Sequence, residues 1–312
     1  MRTSIDSSTA VNLWIPDKEG RDAIGELPGD VSLGLIPGEG ELAPEILDAE
    51  FLVPPSGDAR VLELLGRMPG LRVLQTLSAG VDWLLPSAAA GVRICDAGGT
   101  RDIAVAEWVL AAILASTMGL DELRDRQREH RWERRQPSEL AHSTVMILGD
   151  GSIGGAVEAR LAPFEVELIR VARHARPGVY AVDDLPALLP RAEIVVVLLP
   201  LTPETTGLLG AELLGRLRPG ALLVNAARGP IVDTEALLGL LQAGRVRAAL
   251  DVTDPEPLGA DHPLWDAPGT LITPHIAGDT LAAQRRAYAL VGEQVGRYAR
   301  GEPLANVVEH GY

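Results

Sequence analysis

The strongest constraint on this chain is an alternation of short apolar, β-branched runs with stretches of helical spacing along almost its whole length. The run Ile194-Val195-Val196-Val197-Leu198-Leu199 has no polar face at all. A strand covered on both sides by crossover helices reads this way, whereas a strand with one wet face alternates. Strands are expected at Ala10–Ile15, Val31–Ile36, Phe51–Val53, Leu71–Thr76 and Val92–Cys95. A second series is expected at Thr144–Leu148, Glu167–Val171, Ile194–Leu199, Ala221–Asn225, Ala248–Val252 and Leu271–Thr273. One compact sheet does not hold so many strands. With 312 residues and roughly 150 per domain, the expected fold class is α/β, with two parallel, doubly wound sheets.

Charge and residue usage remove several chemistries. Against 43 acidic residues stand 28 basic ones, for a net charge of −15, so neither nucleic acid nor an anionic membrane is an expected partner. Lys18 is the only lysine, in a polar Asp-Lys-Glu-Gly stretch, which argues against Schiff-base lysine chemistry and a phosphate-loop lysine. Cys95 is the only cysteine, which leaves no intrachain disulfide and no thiolate zinc cluster. The histidines show no pair four residues apart, and no metal site is expected. Nothing reads as a signal peptide or membrane span, so a cytoplasmic location is the default expectation.

From Ile103 to Met118 the residues Ile103, Ala106, Leu110, Ile113, Leu114 and Met118 fall at helical spacing, with Thr100 or Asp102 as N-cap and Gly119 as the break. The segment from Asp121 to Gln136 alternates acids with Arg124, Arg126, Arg128, Arg131, Arg134 and Arg135. It is expected to be a solvated, salt-bridged helix, the sharper alternative being a subunit-interface arm.

Thr144–Leu148 runs directly into Gly149-Asp150-Gly151-Ser152-Ile153-Gly154 and then into a helical pattern, the strand–turn–helix setting that a GxGxxG needs. Gly149 permits the tight turn, Gly151 lets backbone approach a pyrophosphate, and Gly154 allows close packing of helix on strand. A dinucleotide cofactor is therefore expected, with Gly149, Gly151, Ser152, Ile153 and Gly154 around its phosphates. An NAD site normally ends the next strand in an acid that binds the ribose 2′-hydroxyl. Here Ala172 stands near that place, followed by Arg173, His174 and Arg176. Those arginines suit a 2′-phosphate, so NADPH is favoured, with NADH possible. Asp150 places an anion inside the phosphate turn, and local sequence offers no reason for it.

Three later segments stand at expected strand ends: Asn225-Ala226-Ala227-Arg228-Gly229, Asp251-Val252-Thr253-Asp254-Pro255-Glu256-Pro257-Leu258 and Thr273-Pro274-His275-Ile276-Ala277-Gly278. Ligands of open α/β sheets gather at such carboxyl ends, so Arg228, Glu256 and His275 are able to converge. With Ser78-Ala79-Gly80-Val81-Asp82, Ala104-Val105-Ala106-Glu107, the glycine turn and Leu199-Pro200-Leu201-Thr202-Pro203-Glu204-Thr205, the chain resembles the D-isomer-specific 2-hydroxyacid dehydrogenases over nearly its whole length. The resemblance implies that Arg228 binds the substrate carboxylate and polarises the keto oxygen, that His275 exchanges a proton with that oxygen, and that Glu256 pairs with His275. These roles suit a fixed guanidinium fork, an imidazole and a carboxylate. It also implies carboxylate binding at Ser78, Ala79 and Gly80, a substrate border at Val53 and Pro54, and cofactor contacts at Leu199, Pro200, Thr205, Ala226, Asp251 and Gly278.

The same resemblance implies two Rossmann-like domains with a cleft between them. Residues 1–101 with 282–312 would form the substrate-binding domain and residues 102–281 the dinucleotide-binding domain. A homodimer through the latter is the family's habit. Trp132 is open as a contact near a neighbouring subunit's substrate. The segment Val53-Pro54-Pro55-Ser56-Gly57 carries no basic residue before Arg60, which favours a small 2-keto acid such as glyoxylate or hydroxypyruvate over a phosphorylated substrate. The alternatives are a phosphoglycerate dehydrogenase-like or phosphite-oxidising enzyme on the same site, and a cofactor-sensing, non-catalytic binding protein of the corepressor type.

Overall fold

The computed structural model describes residues 11–16 and 18–308; Ala10, at the edge of the first expected strand, lies outside them. The chain divides between Arg101 and Asp102 and again between Asp279 and Thr280, giving a terminal unit built from both ends and a central unit. Every strand pair in both units is parallel.

The terminal unit has five strands, β1 (Val11–Ile15), β2 (Val31–Leu35), β3 (Phe51–Leu52), β4 (Val73–Gln75) and β5 (Arg93–Cys95), in the order β2-β1-β3-β4-β5. Successive residues feed opposite faces. Leu13, Ile15, Phe51, Val73 and Cys95 join one buried cluster, and Trp14, Leu52, Leu74 and Ile94 the other. The Leu281–Ala299 helix returns to the first of these clusters through Tyr288, Val291 and Val295, and Gly20 lets the Tyr288 ring lie directly on the Lys18–Ala23 helix.

The central unit holds seven strands: β6 (Thr144–Leu148), β7 (Glu167–Ala172), β8 (Tyr180–Ala181), β9 (Ile194–Val197), β10 (Ala221–Asn225), β11 (Val246–Leu250) and β12 (Thr270–Ile272), in the order β12-β11-β10-β9-β6-β7-β8. The order reverses between β6 and β9, the switch point where such sheets leave a crevice. The unbroken apolar run is explained here: Val195 and Val197 enter one buried cluster, Ile194 and Val196 the other. The Asp102–Met118 helix packs into the second cluster through Val105, Val109, Ala112 and Ile113, beside Val157 and Leu161 of the Ser152–Leu161 helix.

Two expectations need correction. The short strand Tyr180–Ala181 was not expected, because two residues carry no periodicity. The helix expected over Asp121–Gln136 stops at Arg128. It buries no residue against the body of the unit, and His130 takes a left-handed φ of 57°. Ion pairs tie the rest down, with Arg131 to Glu129 and Glu133 at 2.7 Å and Arg135 to Glu122 at 2.9 Å. Exposed pairs of this kind contribute little to holding a helix without a buried face.

After β5, the Asp96 carboxylate accepts the Gly98 N–H at 2.7 Å. Burial pushes this carboxyl above the usual carboxylate range, against a smaller opposing pull from that N–H. A raised folded-state pKa means that the stability the group contributes is lost as pH rises through its titration. Asp96→Asn is therefore expected to melt above the parent near pH ~7, with the gap closing near pH ~3, where both chains are neutral at this position. Thermal melts at the two pH values check this; a variant melting no higher near neutrality would show that the N–H contact outweighs burial.

Candidate active site

The glycine turn leaves β6 at the switch point. Gly149 sits at φ +114° with its N–H bonded to the Val171 carbonyl at 2.9 Å, and a Cβ there would come within 2.6 Å of the Leu198 carbonyl oxygen. A Cβ on buried Gly154 would overlap the Gly149 carbonyl oxygen, so helix and strand touch backbone to backbone. Gly151 faces open space and is the N-cap of the Ser152–Leu161 helix, with no side-chain cap bond. Ser152 is exposed, while Ile153 packs inward on the core. Backbone donors and a positive helix end thus stand beside open space at Gly151, which fits a dinucleotide pyrophosphate.

Beyond β7, Arg173, His174 and Arg176 are all exposed. They are not equivalent. Arg176 pairs through Nη2 with the Asp150 carboxylate, and the same nitrogen donates to the Asp150 carbonyl at 3.2 Å. Arg173 lies within electrostatic reach of Glu204. That carboxyl is held below the usual carboxylate range first by the Thr202 hydroxyl and, to a smaller extent, by the Arg173 charge. The acid inside the phosphate turn therefore faces a cation.

The neighbouring strands β10, β11 and β12 release the other three segments at their carboxyl ends. Buried Asn225, the last residue of β10, folds the following loop around itself. Its Oδ1 accepts the Ala227 N–H at 3.1 Å, and its Nδ2 donates to the Arg228 carbonyl at 3.1 Å. Arg228 is extended (φ −143°, ψ 143°), and its Nη1 donates to the Ala227 carbonyl at 2.8 Å. A Cβ on Gly229 would overlap the Thr253 carbonyl, so the Arg228 loop rests directly on the segment leading to Glu256.

Asp251, just past β11 and only 3% exposed, organises the last loop. Its Oδ1 accepts the Thr273 hydroxyl at 2.6 Å and the Ile276 N–H at 2.9 Å, and its Oδ2 accepts the Ala277 N–H at 2.9 Å. Its carbonyl accepts the His275 N–H at 2.7 Å. His275 itself takes a left-handed φ of 54°, a conformation a non-glycine residue keeps only when its surroundings impose it. The result is a half-exposed imidazole whose Nδ1 lies 2.6 Å from Glu256 Oε1. Glu256 as a carboxylate accepts from Nδ1–H, which leaves Nε2 as the nitrogen that can take or give a proton.

Other expected contacts are differently employed. Leu199 is buried in the core, and the Thr205 hydroxyl closes its own loop on the Pro200 carbonyl at 2.7 Å. Ala226 and Gly278 are partly exposed. In the terminal unit, Ser78 Oγ donates to the Gly80 carbonyl at 3.0 Å, and the Ser78 carbonyl accepts from Thr76 Oγ1 at 2.6 Å and the Ala97 N–H at 3.0 Å. Ala79 sits in this same turn, partly exposed. Pro54 is buried, and Val53 is 0% exposed with its side chain in the core. Any substrate border here would therefore be formed by backbone and by the exposed Ser56 and Gly57 rather than by the Val53 side chain. Sequence reasoning missed Asn225 and Thr273 as supports; the signal was a polar residue ending or following a strand that is otherwise apolar.

Residues 110–277 match the family model described as "D-isomer specific 2-hydroxyacid dehydrogenase, NAD binding domain". Among curated proteins the chain is 34% identical over 309 residues to a D-3-phosphoglycerate dehydrogenase of Mycobacterium leprae, covering 94% of this chain and 58% of that protein. It is 34% identical over 281 residues to a glyoxylate reductase of Thermofilum pendens, covering 85% and 83%. The chain thus spans less than two thirds of the phosphoglycerate dehydrogenase's length. Among solved structures it resembles the NADPH-dependent glyoxylate/hydroxypyruvate reductase of Sinorhizobium meliloti in complex with NADP and sulfate, at 27% identity and a TM-score of 0.81, covering 96% of this chain and 98% of that one.

In Asp251→Asn, one of the N–H or O–H groups that now meet a carboxylate oxygen would face an amide NH2 instead. Amide hydrogen exchange at Ile276 and Ala277 should speed up, with a stability loss of about 1–3 kcal/mol. Exchange unchanged at both amides would show that the loop holds its shape without this carboxylate.

Proposed function

Because the chain belongs to the D-isomer specific 2-hydroxyacid dehydrogenase family, we propose that it interconverts a small 2-keto acid and its D-2-hydroxy acid, with NADPH favoured over NADH. The observation that carries this reading is the His275–Glu256 contact at 2.6 Å, on a loop clamped by buried Asp251. Bound at the glycine turn, the nicotinamide cofactor supplies or accepts the hydride. The chain supplies the rest. His275 Nε2 gives a proton to the keto oxygen in reduction and takes it back in oxidation. Glu256 holds the imidazole's orientation and tautomer through Nδ1. Arg228, a permanently charged fork on a loop braced by Asn225, binds the carboxylate and stabilises charge developing on the keto oxygen.

Glyoxylate and hydroxypyruvate are the preferred substrates, because the segment from Val53 to Gly57 carries no cation for a phosphate. The reductases that the chain resembles bear names consistent with this choice. Phosphoglycerate oxidation is the second reading, favoured by 34% identity to enzymes of that name. A homodimer through the central unit, in the cytoplasm, completes the proposal. Trp132, 98% exposed, and Leu120, 52% exposed, leave apolar surface on the arm that a second copy would cover.

Reduction of glyoxylate, hydroxypyruvate and phosphohydroxypyruvate with each cofactor tests the reading. His275→Ala is expected to lower kcat by on the order of 10²–10⁴ while leaving cofactor binding in place. A variant that keeps most of its activity at saturating cofactor would overturn the mechanism. Turnover of the phosphorylated acid alone would select the second reading.

A further inference from the structure

Asp150 is the one residue of the glycine turn whose charge opposes the ligand the turn is shaped for. A carboxylate among phosphate-binding N–H groups repels a pyrophosphate, and it repels a 2′-phosphate as well. Its side chain does not relieve this by turning into solvent, since it is only 13% exposed. It turns onto Arg176, 26 residues further on, whose Nη2 meets both the Asp150 carboxylate and the Asp150 carbonyl. Arg176 is also fixed through its backbone, its N–H donating to the Val179 carbonyl at 3.0 Å while the Val179 N–H donates to the Arg176 carbonyl at 2.8 Å. Arg176 is therefore held at its backbone by Val179 and at its guanidinium by the turn, with its charge balanced by a carboxylate in direct contact.

That balance bears on the adenosine ribose. In this fold the ribose lies at the end of the second strand, where an acid ordinarily selects the 2′-hydroxyl. Here β7 ends in Ala172, and a carboxylate reaches the same neighbourhood from the glycine turn instead. It binds the cation that would otherwise be committed to a 2′-phosphate. A 2′-phosphate must then share or displace Asp150 to use Arg176, whereas a ribose with a free 2′-hydroxyl meets no such competition. Arg173 has an acid within electrostatic reach but not in contact, so it does not carry the same handicap.

We propose that Asp150 is a specificity-determining residue that, by holding and neutralising Arg176, reduces the preference for a 2′-phosphorylated dinucleotide and keeps the site open to NADH. This rests on the reading that a nicotinamide dinucleotide binds at the glycine turn. Asp150→Asn removes the competing charge while keeping the side chain's shape, and Arg176 then serves the 2′-phosphate.

The test is direct binding of NADPH and NADH to the full chain, followed by the fluorescence of the reduced nicotinamide, in the parent, Asp150→Asn, Arg176→Ala and the double variant. The ratio of NADPH to NADH affinity is expected to rise about tenfold in Asp150→Asn, the low end for a charge-assisted contact at a half-exposed site. Arg176→Ala should erase that gain in the double variant. Retained NADH binding reports that each variant keeps its turn. A ratio that stays level or falls in Asp150→Asn overturns the proposal, as does a gain that survives loss of Arg176. If the parent binds neither nucleotide, the dinucleotide reading fails and this inference with it. Binding with an unmoved ratio removes only the role given to Asp150.

Discussion

Burying a carboxylate is costly unless its oxygens are met by donors, and the central unit accepts that cost at Asp251. Three donors converge on its side chain and a fourth on its carbonyl. All four come from the stretch Thr273–Ala277, so the arrangement that satisfies the buried charge also sets the path of the loop. His275 owes its left-handed backbone to that path. Without it nothing local would hold the imidazole against Glu256, because both side chains are more than two fifths exposed and an exposed pair stabilises little by itself.

Asn225 repeats the device one strand over. A polar side chain buried at the end of an apolar strand binds the loop that follows it, and Arg228 is the residue presented. The close approach at Gly229, where a Cβ would strike the Thr253 carbonyl, then seats that loop on the segment leading to Glu256. Arginine, glutamate and histidine occupy neighbouring strand ends because the parallel register of β10, β11 and β12 brings those ends side by side. Arg228, Glu256 and His275 are presented by loops that buried polar residues outside that set hold in place.

Much of this was legible in the residues. Alternate feeding of two buried clusters by Ile194–Val197 follows from a run with no polar face. The glycine turn was readable because Gly149 and Gly154 answer steric demands that no other residue meets. Less legible were features set by balance between weak terms. The arm after Arg128 has abundant helix-forming residues but buries none of them, and its exposed ion pairs stabilise too little to hold a helix. Val53 was expected to end a strand that stops at Leu52, and its side chain still turns into the core.

The order of the apolar runs, the spacing of the glycines and the identity of the charged residues were determined by the sequence alone, because periodicity and backbone sterics act over a few residues. Which charge meets which was decided only by the tertiary structure. Asp150 and Arg176 are separated by a helix and a strand, and Asp251 and Ala277 by 26 positions along the chain. Such pairings depend on strand register and on where each loop emerges, and local sequence carries no record of either. The basic residues after β7 that read as one cluster differ in the fold, Arg176 being engaged by an acid and Arg173 only within electrostatic reach of one.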